Sequence, residues 1–477
     1  MWVTEVRRKR HDLFTVDAAV AAGHPATVEA GIEILADGGS AADAAVAAAL
    51  ASCVAETVMT GLLGGGHGIY LDAASGEARN LDCFVAVPGL AGERRDVQLL
   101  ELEIPFGTEL VHYAVGIASC GVPGLPAGLA ALHDEFGRLP WPRLVEPALR
   151  LARDGVDFPT AHASCLAMLA PVMTMNEGAR IYAPGGDLLE AGSRLEQPGL
   201  VRALAIVAEE GPRSFYEGTL ADSLLGLMDE RGGVVTREDL NAYDAAWTEP
   251  VEVAYAGTRL VTRAGLSGVR GAISRLPRLR GLSAAERAIA LVGTLDTQTV
   301  DGHTTNLTVT DGDGNACVLT TSLGLGSGDF LPGLDLHLNS MLGETDLVRG
   351  RLEPGDRMGS MMAPSLALDG DGLVLAAGAA GGTRLRSALL QVIAGILDEG
   401  LEPAAAVARP RLHPAAGLVH LEPGFEPEVP ARLEEAGYEV RAWPSLHHFF
   451  GGVSVAGRAG CAGDPRRSGG AQALTRG

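Results

Sequence analysis

Within residues 304–310 of the stretch DGHTTNLTVTDGDGNACVLTTSLGLGSG, residues 301–328, four threonines, Thr304, Thr305, Thr308 and Thr310, stand without a single charge. Hydroxyl groups gathered in this way are candidates for nucleophilic chemistry. Threonine is equally a good strand former, so the composition alone leaves both readings open. Spacing adds a geometric expectation. A turn at Gly312-Asp313-Gly314, with glycine available for positive φ, folds the segment symmetrically about Asp313. Thr304 then lies opposite Ser322. Leu307 and Val309 face one side with Cys317 and Leu319, and Thr304, Asn306, Thr308 and Thr310 face the other with Thr320 and Ser322.

The elements that must position this hairpin are legible on both sides of it. Two helical patterns run through HPATVEAGIEILADGG and SAADAAVAAALASCVAE, the second opening on Ser40 as cap with Asp43 in its first turn. The glycines of TGLLGGGHGIYLD follow a helix and precede a strand, the reverse of the order a pyrophosphate cradle needs, so they suit close backbone packing near a site. Residues 118–245 read as helices with proline-rich joints, and VEVAYAGTRLVTR reads as strands. Residues 265–300 offer one helix and then a polar run into His303, the pattern of an exposed cleavage loop. A Gly-rich loop, a helix and terminal strands follow. Strands before and after helices, rather than in strict alternation, predict stacked sheets covered by helices. Two other motifs fail on chemistry. DGDGNACVLTTS has Ala316 and Ser322 where a calcium loop needs glycine and glutamate, and His447-His448 on a strand would point to opposite faces.

The chain has 477 residues, 47% hydrophobic and only 4% aromatic, with 64 glycines, enough for a large core of small side chains. A net charge of −22 argues against nucleic acid or an anionic membrane as partner and leaves a small molecule. Arginine supplies nearly all the positive charge, Lys9 being the only lysine, as in a GC-rich bacterial coding bias. The first residues contain no secretory apolar run, and Cys53, Cys83, Cys120, Cys165, Cys317 and Cys461 lack the spacing of a metal site or disulfide framework. A cytoplasmic protein with reduced thiols, no metal and no cofactor is expected.

In order along the chain, GHPATVEAGIEILADGGSAADAAVAAAL, GGGHGIYLD, VPGLPAGLAALHDEFG, GHTTNLTVTDGDGNACVLTTSLG, LNSML, PGDRMGSMMAPSL, GAAGGTR, ARPRLH and GDPRRSGGA resemble the gamma-glutamyltransferases, N-terminal-nucleophile hydrolases. The resemblance implies an α+β fold, the four-layer αββα sandwich. It implies self-cleavage between His303 and Thr304 into a large subunit, 1–303, and a small subunit, 304–477, which remain together as a heterodimer. Thr304 matches the nucleophile, whose new α-amine serves as its base. Ser322 matches a hydroxyl that bonds the nucleophile. Gly381 and Gly382 match the oxyanion-stabilising pair, Ser360 a substrate-site serine, and Asn339 a residue of the substrate segment.

The departures concern specificity. Phe84 stands where the family places the arginine that holds a glutamyl carboxylate, with Val85 after it. Met361 replaces a second serine, and Leu342 and Gly343 replace an acidic pair. A kept catalytic centre without its amino-acid clamp predicts a self-processing hydrolase or acyltransferase acting on a gamma-glutamyl-like or modified amide. The alternatives are a repurposed hydrolase of antibiotic metabolism that breaks a carbon–carbon bond beside a carbonyl, and a non-catalytic homologue. Retention of Thr304, Ser322, Gly381 and Gly382 together disfavours the last.

Overall fold

The hairpin folds about Asp313. Thr305 pairs with Thr321, Leu307 with Leu319 and Thr310 with Ala316, and Asp311 N donates to Asn315 O (3.1 Å), leaving Gly312, Asp313 and Gly314 as the loop. The structure, a computed structural model, describes residues 17–92, 97–106, 109–295, 304–344, 347–348, 350–382, 384–415 and 417–475.

Both hairpin strands lie inside a seven-stranded antiparallel sheet. Its order is Gly470–Leu474, Ala18–Ala22, Thr305–Thr310, Ala316–Ser322, Gly65–Asp72, Glu77–Cys83 and Ala246–Thr248. A six-stranded antiparallel sheet runs Gly460–Ala462, Gly452–Gly457, Gly372–Ala380, Ser365–Asp369, Thr258–Thr262 and Val251–Tyr255. Leu307, Val309, Cys317 and Leu319 point into a core shared with the helices Pro25–Ala36 and Ala41–Ala55. Ile69, Val318, Leu366 and Leu373 fill the space between the sheets. The helices Val269–Arg275, Ala284–Leu295 and Arg384–Leu397 cover the far face of the second sheet. The result is the expected α+β four-layer αββα sandwich.

The hydroxyl face of the hairpin is therefore the sheet–sheet face. Asn306 and Thr320 share a hydrogen bond through their side chains (2.7 Å). Thr308 Oγ1 donates to Ser454 O and Ser454 Oγ to Asn306 O, both at 3.1 Å, joining the two sheets. These hydroxyls serve the fold, and only the end of the row is left for chemistry. The predicted Ser40–Asp43 capping box forms, and Asp311 Oδ2 accepts from Ala41 N at the start of the same helix (2.9 Å), so the hairpin loop is tied to it. Gly64 lets the next strand pass close: a Cβ there would lie 2.2 Å from Ser322 O.

Two local expectations are corrected. The region after Gly265 carries two helices, Val269–Arg275 as well as Ala284–Leu295. His447 and His448 occupy no strand: His447 caps the 3-10 turn His448–Phe450, and the two rings lie 4.1 Å apart.

Candidate active site

The open end of the hydroxyl row holds Thr304, just before the strand Thr305–Thr310, beside Ser322 at the end of its partner strand. Gly381, leaving the strand Gly372–Ala380 of the second sheet, donates its N–H to Thr304 Oγ1 at 2.8 Å. Only glycine suits that position. Its φ is +128°, and a Cβ would meet Gly451 Cα at 2.9 Å. Arg384 N and Leu385 N then donate to the carbonyls of Gly381 and Gly382, both at 3.1 Å, opening the helix Arg384–Leu397. One backbone N–H is thus aimed at the Thr304 hydroxyl, with a helix N-terminus behind it. Ser322 Oγ accepts from Gly324 N (2.9 Å). His303 lies outside the described residues.

Thr304, Ser322, Ser360 and Gly382 line one pocket with Phe84 and Met361. Ser360 Oγ accepts from Met362 N (3.3 Å), and Arg263 Nη1 donates to Ser360 O (3.1 Å). Phe84 is 1% exposed and stacks on His67 with ring centroids 5.3 Å apart. Asn339 does not join them. Its Oδ1 accepts from Gly121 N (3.0 Å) and Met341 N (3.2 Å), and its Nδ2 donates to Leu63 O (2.8 Å) and Gly121 O (2.9 Å). With those bonds it ties loops together rather than touching substrate, a correction to its expected place. Gly343 leaves no room for the acidic side chain the family resemblance places there, since a Cβ would lie 1.7 Å from Ala114 O. The next residue supplies a carboxyl instead: Glu344 is buried and lines the pocket.

Sequence reasoning also missed Glu56, at the end of the helix Ala41–Ala55. Thr27 Oγ1 donates to its Oε1 (2.7 Å) and Thr305 Oγ1 to its Oε2, so a buried carboxyl grips the residue after Thr304. Arg467 Nη1 donates to Thr304 O (3.4 Å) and lies against Met59 Sδ (3.3 Å). Burial pushes the Glu56 carboxyl up to about 7 from 4.5, while the two threonine hydroxyls and Arg467 draw it down. An acid whose pKa rises on folding contributes stability that is complete below its unfolded value and lost as pH rises through the folded one. The wild type should therefore lose, between pH 5 and 8, on the order of 3 kcal/mol relative to Glu56→Gln. Thermal melts of both proteins across that range check this; parallel pH profiles would contradict it.

Other cations are occupied elsewhere. Arg79 pairs with Glu135 and lies over the Trp247 ring, and Arg384 Nε donates to Phe449 O (3.2 Å). Among the described residues, no group of three His, Cys, Asp or Glu side chains is placed to hold a metal ion, and no helix is long and apolar enough to cross a membrane. All six cysteines are free thiols, five of them buried.

A family model described as gamma-glutamyltranspeptidase matches residues 27–274 and 279–474. The acylase ACY 1 proenzyme of Pseudomonas sp. (strain SE83) is 27% identical over 490 residues, 90% of this chain and 88% of the relative. The glutathione hydrolase proenzyme of Bacillus subtilis (strain 168) is 27% identical over 542 residues, 94% and 91% of the two chains. Among solved structures, the cephalosporin acylase from Bacillus halodurans is alike in fold, with a TM-score of 0.81 at 23% identity over 97% of each chain.

Proposed function

The chain belongs to the gamma-glutamyltranspeptidase family, and from that premise we propose that it is a self-processing threonine hydrolase and acyltransferase acting through an acyl-enzyme on an amide of a gamma-glutamyl-like or modified substrate. The observation that carries this reading is the 2.8 Å hydrogen bond from Gly381 N to Thr304 Oγ1 at the wall of a pocket. After cleavage before Thr304, its α-amine takes the hydroxyl proton as Oγ1 attacks the amide carbon. The Gly381 N–H, with Gly382 beside it, stabilises the oxyanion, and the proton passes to the leaving amine as the carbon–nitrogen bond breaks. Water or a second amine then attacks the ester and frees Thr304. Ser322, next to Thr304 in the hairpin register, orients the hydroxyl. Fragments 1–303 and 304–477 stay assembled as a heterodimer.

The purified protein should run as two bands on a denaturing gel. Incubated with a slowly hydrolysed acyl donor, the smaller fragment should gain the mass of one acyl group on its first residue. A single band that turns over amides, or an acyl group found elsewhere, would refute the mechanism.

A second reading draws on the apolar Phe84 and Met361, which stand where the family resemblance places an amino-acid clamp. The same nucleophile and oxyanion donors permit cleavage of a carbon–carbon bond beside a carbonyl. Identification of the leaving group, amine or carbon acid, separates the two.

A further inference from the structure

Cleavage before Thr304 would turn the residue that carries the chemistry into a chain end, and chain ends fray unless something ties them down. The ladder does little of that tying here. Pairing with the strand Ala18–Ala22 begins only at Leu307, opposite Ala22, and pairing with the strand Ala316–Ser322 begins at Thr305, opposite Thr321. Gly381 and Arg467, which bond Thr304 Oγ1 and Thr304 O, lie on the same side of the cut as Thr304 itself. Glu56 lies on the other side. It is buried, and its carboxyl accepts from both Thr27 Oγ1 and Thr305 Oγ1. Its backbone is fixed as well: Glu56 N donates to Ser52 O (2.7 Å) and Met59 N to Glu56 O (2.8 Å). Four residues on, the hydroxyls of Thr60 and Thr321 share a hydrogen bond (2.8 Å), so one short segment holds both Thr305 and its ladder partner. Gly23 closes the cluster: a Cβ there would meet Glu56 Oε2 and lie 2.8 Å from Thr305 Oγ1.

Resting on the threonine-hydrolase reading above, we propose that Glu56 is a positioning residue for the nucleophile: through Thr305 it holds the first residue of the small fragment from the body of the large one. Thr305 points away from the face that carries Thr304, because neighbours on a strand alternate. Glu56 therefore acts without touching the reacting atoms, by fixing where Thr304 Oγ1 stands relative to Gly381 N.

The test follows p-nitrophenolate release from p-nitrophenyl acetate by the self-cleaved protein, per molecule cut as read from a denaturing gel, with Thr304→Ala as background. Thr305→Val keeps the branched shape and removes the hydroxyl. Its kcat should fall about 100-fold, the order of loss a displaced reacting group incurs, with KM within about three-fold of wild type. Thr305→Ser and Glu56→Gln should keep most of the rate, since each leaves a hydrogen bond in place. Glu56→Ala should match Thr305→Val, and the double variant should be no slower than the slower single one. A merely structural tie would lower the melting temperature and the fraction cut while each cut molecule worked at the wild-type rate. That result, a loss confined to KM, or losses that multiply in the double variant overturns the proposal. A wild type that is cut yet never acylated on Thr304 would instead refute the parent reading, so the two failures are distinguishable.

Discussion

Thr304→Ala should remain a single chain of 477 residues and should lose amide turnover by about five to six powers of ten, as removal of a covalent nucleophile does. Two losses coincide in one substitution. The methyl group left behind cannot attack the preceding carbonyl, so no α-amine is released, and the hydrogen bond from Gly381 N has no acceptor. Thr304→Ser keeps the hydroxyl and should still yield two fragments, more slowly. Sequencing of the smaller wild-type fragment should begin at Thr304. A wild type that works as one intact chain, or an Ala variant that is cut at the same place, would remove Thr304 from the mechanism.

The second large effect concerns specificity. Gamma-glutamyl-p-nitroanilide and glutathione should be turned over two to four powers of ten less efficiently than by family members with the carboxylate arginine, because losing a buried charge contact costs about 3 to 5 kcal/mol. Phe84→Arg should recover part of that deficit. The backbone at this position is already fixed, since Phe84 N donates to Asp82 Oδ1 (3.0 Å). The ring is buried against His67, so the substitution also replaces packing with charge. A melt of the variant therefore accompanies the kinetics: recovery of gamma-glutamyl turnover in a folded protein supports the reading. Efficient glutathione hydrolysis by the unmodified protein contradicts it, and neither Arg79 nor Arg384 is free to explain such a result.

What could be read in the sequence was local and periodic. The register of the hairpin follows from alternation on either side of a glycine turn, and it puts Thr304 beside Ser322. The Ser40–Asp43 cap was legible for the same reason: donor and acceptor are three residues apart. The contacts missed by sequence are distant ones. Glu56 and Thr305 are 249 positions apart, and no periodicity joins them. Glu344 was hidden by a one-residue offset, its neighbour Gly343 being pressed against the Ala114 carbonyl. Asn339 was misplaced because its motif shows the amide but not the four backbone groups that occupy it. The helix Val269–Arg275 was obscured by Gly271 and its arginines, and packing of Val269, Ala272 and Ile273 into the core sustains it.

The strand order bears on what the proposed cleavage before Thr304 would do to refolding. Strands from both sides of position 304 share each sheet: Thr305–Thr310 lies against Ala18–Ala22, Ala316–Ser322 against Gly65–Asp72, and Ser365–Asp369 against Thr258–Thr262. An uncut chain finds these partners within itself, at an effective concentration on the order of millimolar. Two fragments must find them by collision. Maturation would thus turn a first-order refolding reaction into a second-order one, leaving an enzyme that stays assembled while folded but, once melted in dilution, does not return at the rate its precursor did.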